Sequence, residues 1–210
     1  MLSSTEVYQY LRDVKPRDHL IMFYDSSESK KDIIYEYLRD GFLQGRGLVY
    51  VYTESAPEEI ANELQIRGID FEPNFSAGNI LTPRYDEWYF EGGKSETIRV
   101  LKKIRETEEY FKEKGLGTRG VGEMSCYFKE GEIKELLRYE YALHKILDLS
   151  VEALCVYDIK TIVNTGYTEI IMPLVRAHGK AIFASENGTM IMQPEKVEDR
   201  DVERLLDITI

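Results

Sequence analysis

Residues 19–53 read HLIMFYDSSESKKDIIYEYLRDGFLQGRGLVYVYT. Two apolar runs, His19–Asp25 and Gly47–Thr53, flank a stretch with helical spacing. Neither run alternates polar with apolar, and both are short, so each reads as a strand buried on both faces. Ser26 is a candidate N-cap for a helix over about 27–44, which Gly45 ends. Strand, helix, strand with no alternation is the pattern of a parallel sheet covered by helices.

The same alternation extends in both directions. A short helix is predicted over Ser4–Asp13. Ser55-Ala-Pro-Glu58 has the form of a capping box with proline in the first turn, opening a helix to Arg67 that Gly68 stops. Residues 71–79 read as loop, and a short strand is predicted near Ile80–Pro83. Then come a helix over Ser95–Lys114, a strand over Thr118–Met124, a helix over Glu130–Leu147 and a strand over Val151–Tyr157. A helix over Thr168–His178 and a strand over Lys180–Ala184 follow. Asn187-Gly188 is a hairpin turn signal leading into Thr189–Gln193, and a short helix is predicted over Asp199–Asp207. The reading is one α/β domain over 1–210, with a core at 15–185 and a C-terminal β-hairpin and short helix at 186–210.

The chain has 210 residues, 43% apolar and 31% charged, a globular composition. Its formal charge of −11 argues against direct binding to nucleic acid or an anionic membrane. No apolar stretch approaches the ~20 residues of a membrane span. The polar start MLSSTEVYQYLRD is unlike a signal peptide, so a cytoplasmic protein is expected. Cys126 and Cys155 form no CxxC, and three histidines include no HExxH, so no metal site is expected.

In an open α/β sheet, ligands bind beyond the carboxyl ends of the strands. Asp25, Glu54, Glu123 and Asp158 stand at four of those ends. Clustered carboxylates repel unless a cation or proton intervenes. On the helix over 130–147, Glu140 falls in the middle of the apolar face, where it would either pair with His144 or line a pocket. Asp86, Glu87, Trp88, Tyr89 and Phe90 mix charge with aromatic rings ahead of a Gly-Gly turn. A phosphate loop, GxxxxGK[ST], would sit between the first strand and its helix. Lys30 takes the lysine position there, but Tyr24 and Ser29 stand in place of the glycines and Lys31 in place of the hydroxyl residue.

Six ordered segments together resemble a known family. They are His19–Asp25 with its helix and Gly41, Leu48–Glu54, Glu87–Phe90, Val121–Ser125, Leu137–Glu140 and Leu154–Asp158. The set resembles the MEDS domain, a methanogen/methylotroph, DcmR-like sensory domain, which is a diverged relative of KaiC/RecA-type P-loop ATPases. The resemblance implies a three-layer RecA/KaiC-like fold with a degenerate phosphate loop and a sensory, signal-transducing role. On that reading the domain is not an enzyme and needs no cofactor. Its ligand-binding residues would be Asp25, Glu54, Trp88, Tyr89, Glu123, Glu140, Tyr157 and Asp158, with Trp88 and Tyr89 as an aromatic lid over a small molecule. The output would pass through a signalling or transcription partner protein, or through a homo-oligomer. The alternative is a KaiC-like ATPase using ATP with Mg²⁺, in which Ser29, Lys30 and Lys31 bind nucleotide, Asp158 orients Mg²⁺ and Glu54 activates water. Under the sensory reading Lys30→Ala should be nearly silent, and Glu123→Gln should leave the fold intact but weaken ligand binding.

Overall fold

The structure, a computed structural model, describes residues 4–145 and 149–192. Its elements in order are α1 (Ser4–Arg12), β1 (His19–Tyr24), α2 (Ser27–Leu43), β2 (Arg46–Val51), α3 (Pro57–Ile66), α4 (Phe71–Ser76), β3 (Ile80–Leu81), α5 (Tyr85–Trp88) and α6 (Thr97–Glu113). Then follow β4 (Gly117–Glu123), α7 (Ser125–Lys129), α8 (Ile133–Lys145), β5 (Val151–Asp158), α9 (Ile159–Asn164), a 3₁₀ turn (Thr168–Ile170), α10 (Ile171–Arg176), β6 (Lys180–Ser185) and β7 (Gly188–Met192). The strands form one sheet in the order β3-β2-β4-β5-β1-β6-β7. All pair in parallel except β7, which returns antiparallel along β6.

Three layers follow from the side-chain period of two in a strand. Leu20, Met22 and Tyr24 of β1, with Leu48 and Tyr50 of β2, pack in one cluster with Leu11 of α1, Ile34 and Leu38 of α2 and Ile60 of α3. Ile21 and Phe23 of β1, with Val49 and Val51 of β2, pack in the other with Val100 and Ile104 of α6, Leu136 of α8 and Leu174 of α10. Every residue of β1 is buried, which is why its sequence does not alternate. The three-layer α/β fold and its C-terminal hairpin are thus as expected.

A buried ion pair fixes α2 to the sheet. Arg119 of β4 is fully buried; its Nε donates to Glu152 of β5 at 2.5 Å and its Nη1 to the carbonyl of Tyr37 at 2.9 Å. A β-carbon on Gly41 would fall 2.3 Å from the Arg119 side chain, so only glycine lets α2 pass this close.

Local differences have local reasons. The predicted loop at 71–79 contains α4, because Phe71 is buried and stacks on Phe75 one turn later. The predicted capping box fails: Ala56 is the N-cap of α3, and the Ser55 hydroxyl is given to Glu123 at 2.6 Å instead. The helix predicted from Glu130 begins at Ile133 as α8; a separate short helix, α7, precedes it, and Gly131 at φ 71° lies in the turn between the two. The hairpin turn is Glu186-Asn187, and Gly188 opens β7. The helix predicted over 199–207 lies outside the described residues.

Candidate functional site

β1 ends at Tyr24 and α2 begins at Ser27, so two residues span the turn where a phosphate loop would lie. Ser26 caps α2 by accepting from the Ser29 backbone N–H at 3.2 Å, and the two hydroxyls lie 2.7 Å apart. No concave backbone loop is left to surround a phosphate. Lys31 points outward to Glu59. The cleft beside this turn is lined by Glu28, Asp32 and Glu186 along with Ser26 and Ser29, a wall of the wrong sign for polyphosphate. Ser29, Lys30 and Lys31 therefore do not converge.

Lys30 is buried, and its ammonium lies 2.8 Å from Glu123 Oε1. The same oxygen accepts from the Tyr50 hydroxyl at 2.9 Å and the Ser55 hydroxyl at 2.6 Å. Glu123 Oε2 accepts three successive backbone N–H groups, from Thr53 at 2.6 Å, Glu54 at 2.7 Å and Ser55 at 3.2 Å. The turn after β2 thus wraps a protein carboxylate as such nests wrap an anion. Burial by itself would raise the Glu123 carboxyl; Lys30, Ser55 and the Thr53 N–H outweigh it and bring its pKa down to about 2. Glu123 has a complete donor shell and no free face for a ligand.

The other carboxyl-edge acids are placed separately. Glu54 accepts from the Tyr24 hydroxyl at 3.4 Å and faces Lys129 at 3.4 Å; burial, then the Glu123 charge, raises its pKa. Asp158 is the N-cap of α9, accepting from the Lys160 N–H and the Thr161 hydroxyl, both at 2.9 Å. Asp25 is half-buried, and its Oδ1 is enclosed without a hydrogen-bond partner among the described residues.

Glu140 and Tyr157 lie together beneath α8. The Tyr157 hydroxyl donates to Glu140 Oε1. Glu140 Oε2 lies 3.1 Å from His19 Nε2 and 3.3 Å from His178 Nε2. Burial pushes the Glu140 carboxyl up, but His178 and then His19 hold it well below the usual carboxylate range. The expected neighbour His144 has a side chain outside the described residues.

Trp88 and Tyr89 meet at a cavity of about 50 Å³. Its floor is the sheet, with Val49 and Val51 of β2, Gly120 and Gly122 of β4 and Cys155 of β5; its roof is Ile104 of α6 with Tyr139 and Leu143 of α8. A single water takes about 10–15 Å³ of such space, so the cavity suits a molecule of about three or four heavy atoms. Its lining is almost wholly apolar. Trp88 and Thr107 belong both to this cavity and to an outer groove shared with Leu81, Lys103 and Tyr110, so they stand between the interior and solvent. The expected crevice was at the carboxyl edge; this space lies under the α6 and α8 layer. Sequence reasoning missed Gly120 and Cys155, although two glycines in a buried strand, Gly120 and Gly122, are a signal that something approaches the sheet closely.

Residues 18–178 match the family described as MEDS, the methanogen/methylotroph, DcmR sensory domain. The chain belongs to the MEDS family. Solved structures similar to this MEDS chain include a KaiC-like protein of the hyperthermophilic archaeon Pyrococcus horikoshii, with TM-score 0.60 and 14% identity over 86% of this chain and 81% of that one. A second Pyrococcus horikoshii protein, solved in complex with an unknown peptide, has TM-score 0.60 and 12% identity over 91% and 89%. The flagellar accessory protein FlaH of Methanocaldococcus jannaschii has TM-score 0.54 and 11% identity over 87% and 78%. At these identities the likeness is one of fold. A search of curated proteins found no match. Membership of MEDS carries a sensory role, and among the described residues no helix is long and apolar enough to cross a membrane.

Proposed function

We propose that this MEDS domain senses a small, largely apolar molecule of about three or four heavy atoms, held in the cavity under α6 and α8, and passes its occupancy on through a partner protein or self-association. The cavity itself is the observation that carries the reading. Its walls are Val49, Val51, Ile104, Leu143 and aromatic faces, and Trp88 stands at its mouth. Such a space favours a ligand that loses little hydration on entry. Trp88 and Tyr89 serve as lining and lid, while Glu123 and Asp158 serve the scaffold.

The alternative, a KaiC-like nucleotide binder or ATPase, draws on the fold alone. Against it stand the two-residue turn after β1, the acidic cleft beside it and the engagement of Lys30 by Glu123.

Thermal unfolding with a panel of one- and two-carbon halogenated, hydroxylated and methylated compounds separates the two. A ligand at 100 times its Kd stabilises by about 2.7 kcal/mol, which raises the midpoint by about 5–11 °C in a chain of this size. The sensory reading expects such a shift from a small panel compound and none from ATP with Mg²⁺. A shift with ATP and Mg²⁺ and none with the panel overturns it.

A further inference from the structure

Four buried side chains from four parts of the chain meet beneath α8: His19 at the start of β1, Glu140 of α8, Cys155 of β5 and His178 just after α10. One ligand-capable atom from each lies within 4.8 Å of the others. His19 Nε2 is 3.1 Å from Glu140 Oε2 and 3.3 Å from Cys155 Sγ, and His178 Nε2 is 3.3 Å from the same carboxylate oxygen. A tetrahedral ion with bonds of about 2.0–2.1 Å to nitrogen and oxygen and about 2.3 Å to one sulfur has ligand–ligand edges of about 3.3–3.6 Å. The three separations just given lie at or slightly below those edges, and the other pairs lie within 4.8 Å, so small side-chain shifts complete the tetrahedron.

Hydrogen bonding alone leaves this cluster incomplete. His178 Nδ1 lies 2.7 Å from the Leu174 carbonyl, which only accepts, so Nδ1 carries the proton. In a neutral ring Nε2 is then a bare lone pair, and it faces a carboxylate oxygen that also only accepts. Neither His178 Nε2 nor Glu140 Oε2 has a hydrogen-bond partner among the described residues. A cation among the four groups turns these opposed lone pairs into bonds. The outer contacts that orient metal ligands are already in place, with Leu174 fixing the His178 tautomer and Tyr157 holding the far oxygen of Glu140.

We propose that His19, Glu140, Cys155 and His178 bind one divalent transition-metal ion of the zinc class. Two imidazoles, a thiolate and one carboxylate oxygen suit Zn²⁺ or Co²⁺, not Mg²⁺ or Ca²⁺, which take oxygen ligands. Four protein ligands close the coordination sphere, as in structural sites. The ion ties β1, α8, β5 and the segment entering β6 together. Cys155 also lines the apolar cavity, so the sulfur ligand forms part of that cavity's wall. The sequence spacing hides the site, because no two ligands share a helix turn or a short loop.

The test uses the full chain, unfolded in chelator and refolded with and without Co²⁺. The expected result is one Co²⁺ per chain, with tetrahedral ligand-field bands and a thiolate-to-cobalt charge-transfer band that Zn²⁺ displaces. Cys155→Ser loses the charge-transfer band, while Cys126→Ser, at the other buried thiol, keeps it. Should Cys155→Ser fail to fold, Glu140→Gln decides, because its amide can donate to His178 Nε2 and fill the gap without metal; it is expected to fold and to take up at least tenfold less Co²⁺. Folded wild-type chain with no stoichiometric Co²⁺ and no charge-transfer band overturns the site. A charge-transfer band that survives in folded Cys155→Ser overturns it as well.

Discussion

Glu123 and Glu140 are both fully buried, on opposite faces of one sheet, and both are held ionised, yet their surroundings differ in kind. Six donors reach Glu123: an ammonium, two hydroxyls and three backbone N–H groups. Glu140 receives the Tyr157 hydroxyl on one oxygen, while the other faces two imidazole nitrogens. A buried charge with all its donors supplied by the chain is part of the scaffold. Around Glu140 the His178 Nε2 and Glu140 Oε2 atoms have no hydrogen-bond partner among the described residues, which is where the proposed metal ion would bind. The difference separates a carboxylate satisfied by the chain, at the carboxyl edge beside the β1–α2 turn, from one beneath α8, beside the apolar cavity, where the proposed ligand and metal sites both lie.

The largest expected break is at Lys30. Lys30→Ala leaves Glu123 buried without its counter-ion and should cost about 3–5 kcal/mol in denaturant unfolding. Near-silence, the expectation from sequence alone, would contradict the scaffold role. Adding Glu123→Gln to Lys30→Met should recover much of the loss, because the pair is then removed as a unit.

Acid gives the next effect. The Glu123 carboxyl lies at about 2 in the folded chain against an ordinary 4.5, so the folded state binds fewer protons. Its contribution, about 3 kcal/mol, is full above about pH 4.5 and fades as pH falls towards 2. The stability gap between wild type and Glu123→Gln, from urea unfolding at a series of pH values, should close over that window. A gap that stays constant would mean that the charge of Glu123 contributes nothing.

Glu140→Gln is expected to cost the metal-free protein less than Lys30→Ala does, because the new amide can donate to His178 Nε2 and no unpaired cation is left behind. A loss as large as that of Lys30→Ala would erase the contrast between the two glutamates.

Much of the fold was legible because β1, β2 and residues 153–157 of β5 carry apolar runs and Gly45 and Gly68 mark helix ends. The absence of a phosphate loop was legible too, from Tyr24 and Ser29 where glycines belong. The partners of the buried charges were not. Ser55 looks like a cap locally, but its hydroxyl is claimed by a residue 68 positions away. Glu140 announced itself as a charge on an apolar helix face, yet His19 and His178 come to it only through the strand order that sets β1 between β5 and β6. The cavity was equally hidden, since Gly120 and Gly122 leave space only once α6 and α8 are laid over β4.

Trp88 is the one tryptophan of the chain and stands at the mouth of that cavity, so its fluorescence reports occupancy directly. The decisive measurement is a fluorescence titration of wild type and Gly120→Val with the best compound of the small-molecule panel. A β-carbon at Gly120 meets nothing nearer than Val49 at 3.9 Å, so a side chain can start there and extend into the cavity that Gly120 lines. The account predicts a saturable change in wild type that is at least tenfold weaker in Gly120→Val, with both proteins folded. A response of equal affinity in the two proteins, or a saturable response to ATP with Mg²⁺ alone, would contradict it.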